Sequence, residues 1–325
     1  MQHSSESRRG DSNSRDGWAR SRTLVVLAVG YQWFYNGANF VAFKIGGDAI
    51  HPLLLATMRF AIAAVAILPL GLLRLRAHPT RTRECVNAAG LGVVMLVGSQ
   101  TTAILGTHML PAGVASVFGS AAPLFLALFA WIALREPIGW RQTCGIGLGF
   151  VGLVLMAWFT SGADGFKPLG AALTLFASAC WAGGSLWARQ LRLPADPVVA
   201  LTAQLTAAAV VLVIVAASTG EPGRTDVIHL PAAAWGSLGF LVVGSTLVGY
   251  AVFLAVNSDV SPTIANTFNY AAPVVALLLS AALLGEHLSF AKLFAAGVAL
   301  SGVALMIRGG APGHTVRPRP RSSSR

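Results

Sequence analysis

The chain has 325 residues, 55% of them hydrophobic and only 11% charged, with a mean hydropathy of +0.67. That composition excludes an ordinary water-soluble domain, which at this length needs far more charge to cover its surface. The formal charge of +11 raises nucleic acid as a partner, while three scattered cysteines are too few for a disulfide framework or a metal cluster.

Residues 1–22 are polar, basic and serine-rich and read as a disordered cytoplasmic tail, not a cleaved signal. Ten apolar runs of about 20 residues follow, the length that crosses roughly 30 Å of hydrocarbon. They are expected at 23–43, 52–73, 87–107, 111–134, 139–159, 168–187, 197–217, 232–255, 262–284 and 290–307. Turn chemistry or charge marks most of the breaks, as in "GGDAIHP" (46–52), "SGADGFKP" (161–168) and "STGEPGRTD" (218–226). Residues 309–325 read as a second disordered basic tail. The expected fold is therefore all-α and polytopic.

Placing both termini in the cytoplasm puts 18 Lys/Arg in inside segments and four in outside loops: Lys44, Lys167, Arg224 and Lys292. The positive-inside rule predicts that asymmetry and an even number of spans. The charge is thereby explained by topology, and nucleic acid drops out as a partner. Arginine outnumbers lysine 20 to 3, a weak pointer to a bacterial chain and so to a bacterial inner membrane.

The chain writes one pattern twice. "FGSAAPLFLALFAWIALREPI" (118–138) and "FNYAAPVVALLLSAALLGEHL" (268–288) share Phe118/Phe268, Ala121/Ala271, Ala122/Ala272, Pro123/Pro273 and Glu136/Glu286. Gly147/Gly297, Gly152/Gly302 and Met156/Met306 continue the same offset, and "VGS" at 97–99 recurs at 243–245. Residues 23–159 and 168–308 thus form two five-span repeats. An odd number of spans makes the second repeat enter the membrane from the opposite side, the arrangement that supports alternating access around the midplane.

"YNGANFVAFKIG" (35–46), "HPLLLATMRFAIAAVAILPL" (51–70), residues 112–157 and "LGEHLSFAKLFAAGVALSGVALMI" (284–307) resemble the drug/metabolite transporter superfamily, in its EamA-type group of duplicated five-span units. The resemblance covers about residues 23–308 and implies export of small metabolites ranging over amino acids, sugars and drugs. Tyr35 departs from it, since the family often has Trp there.

Arg59, inside the second span, is the most informative polar residue. A guanidinium at that depth costs on the order of 3 kcal/mol on insertion scales, so it needs a partner, a cavity or water. It either contacts a substrate carboxylate or anchors a neighbouring helix and holds the halves in register. Its repeat-mate is Gln204, so no symmetric charge pair exists. Trp33, Tyr35, Asn39, Gln100, Trp181, Ser185, Trp187, Tyr250, Asn266, Asn269 and Tyr270 complete the path candidates, each open to an interhelical packing role instead. The resemblance implies that most of these line a central path. Pro123 and Pro273 are hinge candidates. Glu136 and Glu286, at span ends on opposite faces, are gate or cap candidates. Gly145 and Gly149 form a G-x-x-x-G surface, read as internal packing rather than a dimer contact.

The function expected is a secondary transporter exporting a small organic metabolite, such as an amino acid, across the plasma membrane, with membrane lipid and a small-molecule substrate as partners and the oligomeric state left open. The alternatives are a drug efflux protein and a polytopic membrane enzyme. The enzyme reading lacks an H-E-x-x-H metal motif and a nucleophile elbow, so no catalytic residue, metal or cofactor is expected. No carboxylate or histidine lies mid-span, which favours facilitated exchange over a proton-driven pump.

Overall fold

The structure, a computed structural model, describes residues 4–77, 79–135, 139–161, 167–223, 225–227, 229–259 and 267–309, with the side chains of residues 4–22, 134, 222, 254, 257–259 and 309 outside that description. Among the described residues every regular element is a helix. In chain order they are α1 (Ser4–Ala49), α2 (Pro52–Ala77), α3 (Thr82–His108), α4 (Ala112–Gly119 and Ala122–Leu134), α5 (Trp140–Thr160), α6 (Pro168–Ala188), α7 (Pro197–Thr219), α8 (Ala232–Gly239, Phe240–Val248 and Gly249–Asp259), α9 (Phe268–Leu284) and α10 (Phe290–Gly309).

Eight of these, α2 to α8 and α10, are long and apolar enough to cross a membrane, and α9 is a shorter apolar helix. Their outward faces carry large bare hydrophobics such as Leu73, Val154, Trp158, Ile214 and Phe294, as a lipid-facing surface requires. α1 is not among the eight: Gln32, Asn36 and Asn39 dilute its apolar run.

Local chemistry sets the boundaries. Proline opens α2, α6 and α7, where its missing N–H is an orphan anyway. Asp196 caps α7 by accepting from the Val198 and Val199 amides at 2.8 and 3.4 Å. Gly220 and Gly285 end α7 and α9 at φ of +72° and +66°, a region open to glycine. Residues 4–22, expected as a disordered tail, are described as the first part of α1, and no proline precedes Pro52 to stop a helix propagating back from the apolar stretch. Around Pro123 the span is interrupted, as its missing N–H and its ring against the Gly119 carbonyl require. α4 breaks at Ser120–Ala121, and Pro123 stands in the first turn of the new segment, whereas Pro273 lies inside α9.

The largest interfaces pair each helix with its repeat-mate: α5 with α10, and α2 with α7. Both pairs run antiparallel. In α5 and α10, Gly145 faces Gly302 and Met306 while Gly152 faces Ala299. In α2 and α7, His51 at the start of α2 meets Glu221 past the end of α7 at 2.7 Å, and Arg74 near the end of α2 meets Asp196 at the start of α7 at 3.6 Å. The other contacts come in exchanged sets: α1 with α9 mirrors α6 with α4, and α3 with α7 mirrors α8 with α2. A two-fold axis perpendicular to the helices produces that pattern, so the repeats are inverted. The halves also interdigitate. One apolar core joins α1 and α2 to α7 and α8, and the other joins α4 and α5 to α9 and α10. The G-x-x-x-G surface is thus used internally, as its sequence suggested.

Candidate functional site

Arg59 sits in α2 at 4% exposure, at the seam between the halves. Its Nε–H donates to Thr246 Oγ1 at 3.0 Å and its Nη2 to Ser245 Oγ at 3.1 Å, both on α8 of the second repeat. Nη1 donates to Gln100 Oε1 of α3 at 3.3 Å. The planar cation also lies against the rings of Phe60 and Phe43, with Cζ 5.0 and 5.5 Å from their centroids. Every acceptor is neutral, and two of the five guanidinium N–H groups make no hydrogen bond among the described residues.

The backbone explains how hydroxyls reach that point. α3 winds as a wide π-helical stretch over Val93–Thr101, and α8 does so over Phe240–Val248. These are the places where "VGS" recurs, and each wide turn is held by a threonine hydroxyl donating five residues back, Thr101 to Leu96 O and Thr246 to Leu241 O. Wide turns shift side chains off the ordinary 3.6-residue register, and they cluster at functional sites. Tyr31 donates to the Gly244 carbonyl inside the α8 turn at 3.0 Å, tying α1 to it.

Arg59 and Gln100 therefore meet, and Tyr35 packs on α8, where a methyl placed on Gly249 would lie 3.1 Å from its ring. Gln204 is partly buried where α7 passes tightly against Gly92 of α3. Asn39 is buried and its Oδ1 has no hydrogen-bond partner among the described residues. Tyr250 packs on the core that contains Arg59's neighbours, but Tyr270 packs on the other core. Ser185 donates back to Trp181 O within α6, Trp187 is exposed and packs on Gly90, and Trp33 is exposed and donates to Thr267. Asn269 lies in the first turn of α9, partly exposed. Asn266 and Glu136 lie outside the described residues.

Glu286 acts as a cap. It accepts from the Ala112 and Gly113 amides at 2.5 and 3.1 Å, closing the N-terminus of α4 with a carboxylate supplied 174 residues away. On the same face Asp48 bridges Lys44 and His108 at 3.1 and 3.2 Å, and the His51–Glu221 pair buries its carboxylate almost completely. Sequence reasoning missed Ser245, Thr246, Gln32 and the Glu221 pair. The "VGS" recurrence at 243–245 was the one signal, and it contains Ser245 but stops short of Thr246.

The model of the family described as "EamA-like transporter family" matches this chain twice, over residues 24–158 and 168–308. Similar proteins include an inner membrane transporter of Escherichia coli, YedA, 30% identical over 296 residues that cover 89% of this chain and 93% of that one. A Chlamydia muridarum protein named as an S-adenosylmethionine/S-adenosylhomocysteine transporter is 23% identical, covering 87% and 91%. An Escherichia coli protein named as a probable amino-acid metabolite efflux pump is 24% identical, covering 90% and 96%. One solved structure, described only as the crystal structure of a protein, superposes with a TM-score of 0.59 at 17% identity over 93% of this chain and 99% of that one, a likeness of fold.

Proposed function

Because this chain belongs to the EamA-like transporter family, we propose that it is a secondary transporter which exports small carboxylate-bearing organic metabolites, amino acids among them, by alternating access. The observation carrying the reading is Arg59: a buried guanidinium gripped from both repeats by neutral acceptors only. An uncompensated cation inside a bilayer is expensive, and a solute carboxylate offers the counter-charge that no described side chain supplies there. The substrates named for two relatives, an amino-acid metabolite and S-adenosylmethionine, carry such a carboxylate.

In this reading ten spans cross the plasma membrane with both termini in the cytoplasm, the inverted repeats exchange conformations, and Pro123 and Pro273 serve as bending points. Glu286 holds the outer ends of α4 and α9 together in one of the two states, and Glu136 is its counterpart on the inner face. The empty middle of every span in carboxylate and histidine makes movement facilitated rather than proton-driven.

Purified protein in liposomes, preloaded with the common L-amino acids and followed by mass spectrometry, tests both statements. Saturable efflux of at least one zwitterion is expected, with no net accumulation when concentrations are equal across an imposed proton gradient. Absence of any protein-dependent efflux would remove the proposed substrate class. Uphill accumulation abolished by a protonophore would replace exchange with proton coupling.

A further inference from the structure

Gln32 in α1 is 1% exposed, and neither its Nε2 nor its Oε1 has a hydrogen-bond partner among the described residues. That is an expensive arrangement, since a buried amide left unpaired costs about 1–3 kcal/mol. Polar side chains that glue helices together behave differently, because their contacts satisfy them. The neighbouring Asn36 is satisfied within its own helix: its Nδ2 donates to the Gln32 carbonyl at 2.8 Å.

Gln32 is not isolated. Tyr35, Asn36, Asn39 and Phe43 follow it at helical spacing on one stripe of α1. The stripe has a known direction, because Tyr35 packs on Gly249 of α8 and Phe43 lies against the Arg59 guanidinium. Asn39, one turn before Phe43, also has an atom without a partner among the described residues, Oδ1. Two buried amides with unfilled hydrogen-bonding capacity thus stand about 10 Å apart on a face that ends at the cation.

We propose that Gln32 and Asn39 form a second recognition station, which takes the hydrogen-bonding side chain (amide or hydroxyl) of a solute whose carboxylate engages Arg59. The inference rests on the transport reading above and adds a substrate class to it. Asn39 Oδ1 accepts from a donor on the solute, whereas the Gln32 amide can both donate and accept. An apolar side chain leaves these groups as unpaired as they are in the empty bundle, so the station discriminates by hydrogen-bonding capacity.

The test compares wild type, Gln32→Met and Gln32→Asn in liposomes loaded with the same amino-acid mixture, together with their melting temperatures in detergent. The ratio of glutamine, asparagine, serine and threonine efflux to alanine and valine efflux should fall roughly tenfold in Gln32→Met, the size of one net hydrogen bond. Gln32→Asn should retain most of the preference. Gln32→Met should melt no lower than wild type, because it removes an unpaired group and no native bond. A wild-type ratio in Gln32→Met overturns the proposal, as does a lower melting temperature, which would mean that the amide holds the fold together. If wild type moves none of the mixture, the transport reading falls first and this inference falls with it.

Discussion

Arg59→Gln should be inserted and folded in near-normal amount yet lose most of its transport, at least about tenfold in flux. Two opposed terms set the stability. The substitution gives up three charge-assisted hydrogen bonds to Thr246, Ser245 and Gln100, each worth about 1.5–3 kcal/mol, but it also relieves the burial of a cation, of order 3 kcal/mol at membrane depth. Glutamine keeps part of the hydrogen bonding, so the loss of stability is held to a few kcal/mol, and flux normalised to inserted protein separates it from the transport defect. Transport has no such compensation, since the positive charge that attracts the solute carboxylate is gone. Arg59→Lys should restore little, because one ammonium cannot reproduce a planar fork held at Nε, Nη1 and Nη2. Gln204→Ala should leave a substantial fraction of flux. Efflux from liposomes, normalised to inserted protein, measures all three, and a wild-type rate in Arg59→Gln would remove the guanidinium from the transport path.

Gly302→Leu should be the most damaging of the packing substitutions. A side chain there would run into the Gly149 amide and Cα and the Gly145 carbonyl. These are backbone atoms of α5, and relieving the clash means separating the largest helix pair in the molecule. Overpacking a core costs about 1–3 kcal/mol when side chains can yield, and this site offers only backbone. A loss of folded, monodisperse protein is expected, or a melting temperature many degrees lower. Gly297→Leu is the internal control, on the same helix, with nothing within 4 Å of its added Cβ. Equal behaviour of the two variants would refute the tight antiparallel contact between α5 and α10.

Much of the fold was readable before any coordinates. Hydropathy marked the apolar segments, proline and glycine marked their ends, and the paired Ala-Ala-Pro and Gly positions exposed the duplication. The antiparallel meeting of repeat-mates was less visible, because a repeat in sequence does not say which of its faces lies at the symmetry axis. Small residues at 145, 149, 152 and 302 were the available sign.

The site was legible only in part. Arg59 announced itself by its charge, and Gln100 by its amide. Ser245 and Thr246 did not, since hydroxyls are common in membrane helices and only the wide turn of α8 swings these two toward the guanidinium. Gln32 carries no charge or motif to single it out, and only the absence of partners among the described residues marks it. Glu286 was recognised as a cap or gate, yet the amides it caps are 174 residues away and could not be named from the loop that carries it. The polar tail reads as disordered because composition reports the lack of a core, whereas a helix can continue into such a segment from an apolar neighbour.

The central claim, that the place where both repeats grip Arg59 opens to each side of the membrane in turn, is tested most directly at Ser245. In protein lacking Cys85, Cys144 and Cys180, Ser245→Cys should react with a membrane-impermeant thiol reagent added to right-side-out vesicles and, in a separate preparation, to inverted ones. A transported solute should slow both reactions. Labelling from one side only, whatever solute is present, would contradict alternating access at this site, and labelling from neither side would make the Arg59 cluster a structural seam that no solute reaches.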